Sequence, residues 1–146
     1  MTKYIIDNSI LTSENLLNKV LDLYNNGENE LFLSFYMLRE LQAFLKTRES
    51  KSIVFAPLRK LLKSIGNLEK LNSCSFPDTT LYLGSLDIKG KEIPIYILDS
   101  HNIDEPLLDK YQIEVAKLNP ELTLVAADIG LKYIGANVGV EVNIID

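Results

Sequence analysis

Apolar positions along the chain recur with two spacings, and these spacings predict alternating strands and helices. Short continuous apolar runs are typical of buried strands, and such runs cover residues 4–6, 31–34, 122–126 and 140–144. Runs in which apolar residues lie three and four positions apart are typical of amphipathic helices. They predict helices over about 12–24, 37–48, 57–65, 104–118 and 129–137.

Two apolar runs in the middle of the chain have a different pattern. Residues 81–88 and 93–98 flank the segment Lys89-Gly90-Lys91-Glu92, which is typical of a β-hairpin with Gly90 in its turn. Elsewhere, continuous apolar strands separated by helices predict a mainly parallel sheet that is covered on both faces. We therefore predict one α/β domain over residues 1–146. It would be a three-layer α/β/α structure with a β-hairpin insertion around 81–98.

Composition narrows the class of protein. The chain has 146 residues, of which 47% are hydrophobic and 24% charged, values that are ordinary for one globular domain. No uncharged segment approaches the ~20 apolar residues that span a bilayer, and Asp7 interrupts the first apolar run, which argues against a signal peptide. Cys74 is the only cysteine, so an intrachain disulfide is excluded. We expect a cytoplasmic protein with no membrane partner.

Charge is unevenly distributed. The net charge is −5, yet residues 39–70 contain eight basic and three acidic side chains, a net of +5, which leaves −10 for the rest. Such a chain is suited to hold a divalent cation at an acidic site and a phosphate backbone beside it. The alternative is that these Lys and Arg side chains only cover the solvent-exposed faces of helices.

Acidic residues recur where predicted strands end. Asp7 and Asp128 follow strands, Glu40 lies early in the helix after the second strand, and Asp104 and Asp109 lie on the helix before the strand at 122–126. Sites in such sheets form beyond the carboxyl ends of the strands. Converging carboxylates repel one another unless a cation is bound, and oxygen ligands without His or Cys indicate Mg²⁺ or Mn²⁺. The alternative is that Asp7 and Asp128 only cap helices.

Four segments, in this order along nearly the whole chain, resemble the PIN-domain ribonucleases, which share their fold with flap endonucleases. The most specific is the closing one, an apolar strand that leads into Asp128 and is followed by a helix and a glycine-containing return. The segments are 4–11 with Asp7 and a polar pair, 37–41 with Glu40, Asp109 with Ile113 and Ala116, and 124–132 with 136–141.

This resemblance implies a function and a set of site residues. It implies a Mg²⁺- or Mn²⁺-dependent endoribonuclease that hydrolyses phosphodiester bonds of RNA, a frequent homodimer, and a possible toxin of a toxin–antitoxin pair with an antitoxin protein as partner. A bound metal would lower the pKa of a water and neutralise charge on the phosphate. The expected metal ligands and catalytic residues are Asp7, Glu40, Asp109 and Asp128, with Asp104 as the alternative to Asp109.

The basic segment supplies the expected contacts with substrate. We predict that the RNA backbone is bound by Lys46, Arg48 and Lys51, with Arg39 as a further candidate. Single-stranded RNA is the expected substrate, because an acidic groove requires a strand that can bend to the metal. Tyr36 and Tyr111 are candidates to stack a base, although core packing is the expected role of both. His101, the only histidine, is expected to be an exposed loop residue rather than a catalytic one.

Ala126 departs from the family pattern, which has Thr or Ser two residues before the last Asp. A hydroxyl that would orient a carboxylate or a water is therefore missing at this position. This departure supports a second hypothesis, a catalytically weak or inactive PIN-fold module that binds RNA or a partner protein. A third hypothesis, an unrelated α/β regulator whose strand-end Asp receives a metal or phosphoryl group, does not account for the position of Glu40 or for the closing segment.

Overall fold

A seven-stranded sheet forms the centre of the structure. The computed structural model describes residues 1–13, 18–47, 53–72, 75–101, 103 and 108–145, with the backbone alone at 108–110. The strands are β1 (Lys3–Ile6), β2 (Glu30–Ser34), β3 (Glu69–Lys70), β4 (Thr79–Ile88), β5 (Lys91–Ser100), β6 (Leu122–Ala126) and β7 (Val142–Ile144). The described α-helices are α1 (Asn8–Leu11), α2 (Lys19–Tyr24), α3 (Leu38–Phe44), α4 (Ala56–Lys63), α5 (Leu108–Leu118) and α6 (Ile129–Ala136). Short 3₁₀ helices cover Asn25–Gly27, Ile53–Phe55 and Ile65–Asn67.

The sheet is mixed, with the strand order β3-β4-β5-β2-β1-β6-β7. In this order, each pair of neighbours in the run β5-β2-β1-β6-β7 is parallel. The pairs β3 with β4 and β4 with β5 are antiparallel. The predicted α/β class is confirmed, and the prediction of a mainly parallel sheet is wrong. The cause is the hairpin: Phe32 of β2 pairs with Tyr96 of β5, so the hairpin is not an insertion beside the sheet but supplies two of its strands.

Most predicted elements are present, with shifted ends. Strand β6 has the predicted bounds, whereas α3 ends at Phe44 rather than near residue 48. A helix was expected from about residue 12, but α1 already begins at Asn8, because Asp7 caps it by accepting a hydrogen bond from the backbone N–H of Ser9. Residues 14–17 of that expected helix and the expected helix start at 104–107 lie outside the described residues.

Buried side chains form two clusters that alternate along the strands. Ile6 and Leu33 belong to one cluster with Leu41 of α3 and Leu58 of α4, while Ile5 and Phe32 belong to the other with side chains of α5 and α6. This alternation is typical of a sheet with apolar contacts on both faces. Within the described ranges the longest helix has 11 residues, and none has the length and apolar character to cross a membrane.

Candidate active site

Three acidic side chains from distant parts of the chain line one cleft at the carboxyl edge of the sheet. Asp7 follows β1, Asp128 follows β6, and Glu40 lies in the first turn of α3, which follows β2. Because β2, β1 and β6 are adjacent and parallel, their carboxyl ends meet at one edge. The cleft has a volume of about 270 Å³, and its remaining lining residues are Asn8, Ser9, Thr12, Met37 and Phe44.

Asp7 and Asp128 each cap a helix with one carboxylate oxygen. Asp7, which is only 8% exposed, accepts hydrogen bonds at Oδ2 from the Ser9 backbone N–H (3.1 Å) and from the Ser9 hydroxyl (2.6 Å). Asp128 accepts one at Oδ1 from the backbone N–H of Gly130 (2.9 Å). The capping role is therefore real at both positions, but it uses one oxygen of each side chain. Within the described part of the chain, Asp7 Oδ1 and Asp128 Oδ2 accept no hydrogen bond.

The polar pair after Asp7 joins β1 to both neighbouring strands. The Asn8 side chain donates to the Met37 carbonyl (2.8 Å), which lies between β2 and α3. The Ser9 hydroxyl accepts a hydrogen bond from the backbone N–H of Ala127 (2.9 Å), between β6 and α6. Ser9 thus places a hydroxyl beside the last acidic segment, although Ala126 has none. Sequence reasoning noted this pair but missed its role, and its position directly after Asp7 was the available signal.

Helix α5 contacts the carboxyl end of β1 through a buried side chain. Gln112 is fully buried, and its side-chain amide donates to the carbonyl of Ile6, the residue before Asp7 (3.3 Å). Tyr111, which is 3% exposed, is a core residue, as expected from the sequence. Burial raises the pKa of its hydroxyl above the usual value, and the nearby Ser34 side chain acts in the opposite direction.

Several predicted site residues cannot be compared with the cleft. Asp109 is the second residue of α5, but its side chain lies outside the described residues, as do Asp104, Arg48 and Lys51 entirely. The choice between Asp109 and Asp104 as the fourth acid therefore stays a prediction. Lys46 is exposed two residues after the end of α3. His101 is exposed, as expected, and its ring Nε2 lies 2.8 Å from the hydroxyl of Thr80.

The carboxylates of the cleft, the Asn8 amide and the hydroxyls of Ser9 and Thr12 offer oxygen atoms, which Mg²⁺ and Mn²⁺ prefer as ligands. Among the described residues, no three His, Cys, Asp or Glu side chains are grouped closely enough to hold a metal ion between them. Mg²⁺ commonly keeps several waters and is bound directly by only one or two carboxylates. Neither Asp7 nor Asp128 forms an ion pair with a described Lys or Arg. A hard cation in this cleft would therefore be bound directly by at most two of the carboxylates, with water as its remaining ligands.

Comparison with known proteins gives no assignment. No protein-family model and no curated protein matches the sequence.

Proposed function

We propose that the protein is a Mg²⁺- or Mn²⁺-dependent endoribonuclease of the PIN-domain type, which hydrolyses phosphodiester bonds of single-stranded RNA. The observation that carries this proposal is the common cleft lined by Asp7, Glu40 and Asp128. The three carboxylates come from separate parts of the chain and line one cleft, and a bound cation would offset the negative charge that they place there. A three-layer PIN-like arrangement of helices around the sheet is part of the proposal.

Each acid has a defined task in this reaction. Asp7 and Asp128 are held in place by their capping hydrogen bonds, and the second carboxylate oxygen of each would bind the cation directly or through water. Glu40 of α3 would bind the same cation directly or through water, and Asp109 or Asp104 would provide the fourth carboxylate. A bound cation lowers the pKa of a water and neutralises charge that develops on the phosphate. No His or Lys is then needed as a general base.

The substrate and partners follow from the same proposal. Lys46, Arg48 and Lys51 bind the RNA backbone, since they belong to the segment of the sequence in which positive charge is concentrated. Single-stranded RNA is favoured because a flexible strand can bend into the cleft. From the resemblance to PIN-domain ribonucleases, we also propose that the protein forms a homodimer and acts as a toxin that an antitoxin protein inhibits.

The test is cleavage of a labelled single-stranded RNA in the presence of Mn²⁺. Asp7→Asn and Asp128→Asn keep an oxygen that can cap the helix while they remove the charge, so they should fold normally and lose at least ~100-fold in activity. Glu40→Gln should behave in the same way. Glu141→Gln is the matched control. Glu141 is exposed directly before β7, at the end of the sheet opposite the carboxyl edge, so this variant should cleave RNA like the unmodified protein.

Two outcomes would contradict the nuclease proposal. Activity that persists with EDTA, or in both Asp7→Asn and Asp128→Asn, would show that the cleft is not the catalytic site. A folded protein that binds RNA but cleaves none would favour the second candidate, a PIN-fold binding module. That candidate is favoured by one observation, the absence of a hydroxyl side chain at Ala126.

A further inference from the structure

Three side chains form a stack that extends from the core to the surface. Tyr111 of α5 is buried, and its ring lies 4.9 Å from the ring of Tyr36 with an angle of 28° between their planes. The guanidinium carbon of Arg39 lies 5.9 Å from the centre of the Tyr36 ring. Tyr36 is half-buried and Arg39 is exposed. A buried ring thus supports a second ring, which in turn supports a cation at the surface.

Two members of the stack precede residues of the acidic cleft in the sequence: Tyr36 comes directly before Met37, and Arg39 directly before Glu40. Arg39 precedes Glu40 in the first turn of α3, and Tyr36 lies in the short segment between β2 and that helix. Tyr111 belongs to α5, in which the neighbouring Gln112 side chain donates to the carbonyl of Ile6, the residue before Asp7. In the sheet, β1 with Asp7 lies between β2 and β6. Arg39 is therefore on the helix that follows β2, on one side of β1, whereas Asp128 follows β6 on the other side.

An arginine in this position is suited to bind phosphate. Its planar guanidinium pairs with two phosphate oxygens at once, and stacking on a ring reduces the side-chain freedom that is lost on binding. Arg39 forms no ion pair with an Asp or Glu of the described residues. Its charge also offsets the negative potential of the three carboxylates, which would otherwise repel an RNA backbone.

We propose that Arg39, oriented by Tyr36 and Tyr111, is a second phosphate-binding subsite beside the cleft. It takes a phosphate of single-stranded RNA that flanks the phosphate being cleaved, and in that sense the subsite rests on the proposed function. The tyrosines are positioning residues, since they act on the phosphate only through Arg39.

Binding of a fluorescent single-stranded RNA is measured by anisotropy in EDTA, where no metal-dependent cleavage occurs. Arg39→Ala should weaken binding about tenfold, and the slope of log affinity against log salt should become shallower by about 0.7, the value for one phosphate contact on a single strand. Arg39→Lys should keep the slope and recover part of the affinity. Tyr36→Phe, which keeps the ring, should bind like the unmodified protein, and Tyr36→Leu should lose severalfold in affinity.

Lys91→Ala is the matched control. Lys91 lies over the Tyr24 ring at 6.0 Å, so it is also a cation on a ring, but it begins β5 at the opposite end of that strand from the carboxyl edge. It should bind RNA like the unmodified protein. Under Mn²⁺, Arg39→Ala should raise KM by a similar factor and leave kcat within about twofold, since the subsite binds a phosphate that does not react.

The outcomes separate the subsite from the nuclease proposal. Equal affinity and equal salt slope in Arg39→Ala and the unmodified protein, an equal loss in Lys91→Ala, or a complete failure to bind RNA would each overturn the subsite. Binding that depends on Arg39 in a protein that never cleaves RNA would support the subsite and refute the nuclease. Cleavage that depends on Asp7 but not on Arg39 would support the nuclease and refute the subsite.

Discussion

Replacing Ser9 with alanine removes the hydroxyl that connects the ends of β1 and β6. This hydroxyl donates to the Asp7 carboxylate at 2.6 Å and accepts from the Ala127 N–H at 2.9 Å. A hydrogen bond to a charged group contributes about 1.5–3 kcal/mol, and one between neutral groups about 1 kcal/mol. We therefore expect Ser9→Ala to lower the free energy of unfolding by about 2–3 kcal/mol. For a chain of this size that corresponds to a fall in Tm of roughly 4–10 °C.

The assay is urea and thermal unfolding at neutral pH, with Ser9→Thr and Thr12→Ala as companions. Threonine keeps the hydroxyl and should restore most of the stability. Thr12 lines the same cleft, and its hydroxyl makes no hydrogen bond within the described residues, so its loss should cost less than ~0.5 kcal/mol. The reasoning is refuted if Ser9→Ala is as stable as the unmodified protein, or if Thr12→Ala is equally destabilised.

Further measurements test the packing, the buried tyrosine and the metal. Gly135→Ala should destabilise the protein by about 1–3 kcal/mol, because a Cβ there would lie 2.7 Å from the Val140 carbonyl oxygen, whereas Gly66→Ala, with nothing within 4 Å, should be nearly neutral in the same unfolding assay. Burial raises the pKa of Tyr111, so its contribution to stability is complete below the unfolded pKa of about 10 and is lost as pH rises through the folded pKa. The free energy of unfolding in urea should therefore fall more steeply above pH ~10 in the unmodified protein than in Tyr111→Phe, and equal slopes would contradict this. Mn²⁺ at about 100 times its Kd should stabilise the folded protein by about 2.7 kcal/mol, measured as a rise in Tm that Asp7→Asn abolishes; a rise that Asp7→Asn retains would place the ion elsewhere.

The local sequence pattern was sufficient to predict those strands, helices and turns whose apolar spacing and capping residues lie within a few residues of each other. Strand β6 and helix α6 were predicted because an apolar run ends at a capping residue, Asp128, and a helical spacing follows it. The turn of the hairpin was predicted from Gly90 between two apolar runs, and Gly90 adopts a positive φ of 77° in the structure, which glycine accommodates readily. The end of α3 was not predicted, since the helical spacing of apolar residues continues beyond Phe44.

The candidate site was predictable in part. That acidic residues at strand ends share one edge follows from parallel pairing, which the continuous apolar strands indicated. That the Ser9 hydroxyl would contact Ala127, 118 residues away in the chain, has no local signature. The same is true of Tyr111 beneath Tyr36, since neither residue type nor spacing distinguishes this stack from ordinary core packing.

By itself, the sequence determined the α/β class, the order of most elements and the acids at the ends of β1 and β6, because these depend on short-range periodicity and capping. Only the tertiary structure decided that β5 pairs with β2 and makes the sheet mixed, and that Asp7, Glu40 and Asp128 share a cleft. Strand partners are chosen by competition between distant segments for backbone hydrogen bonds and apolar contacts. That competition is a property of the whole folded chain, and no window along the sequence contains it.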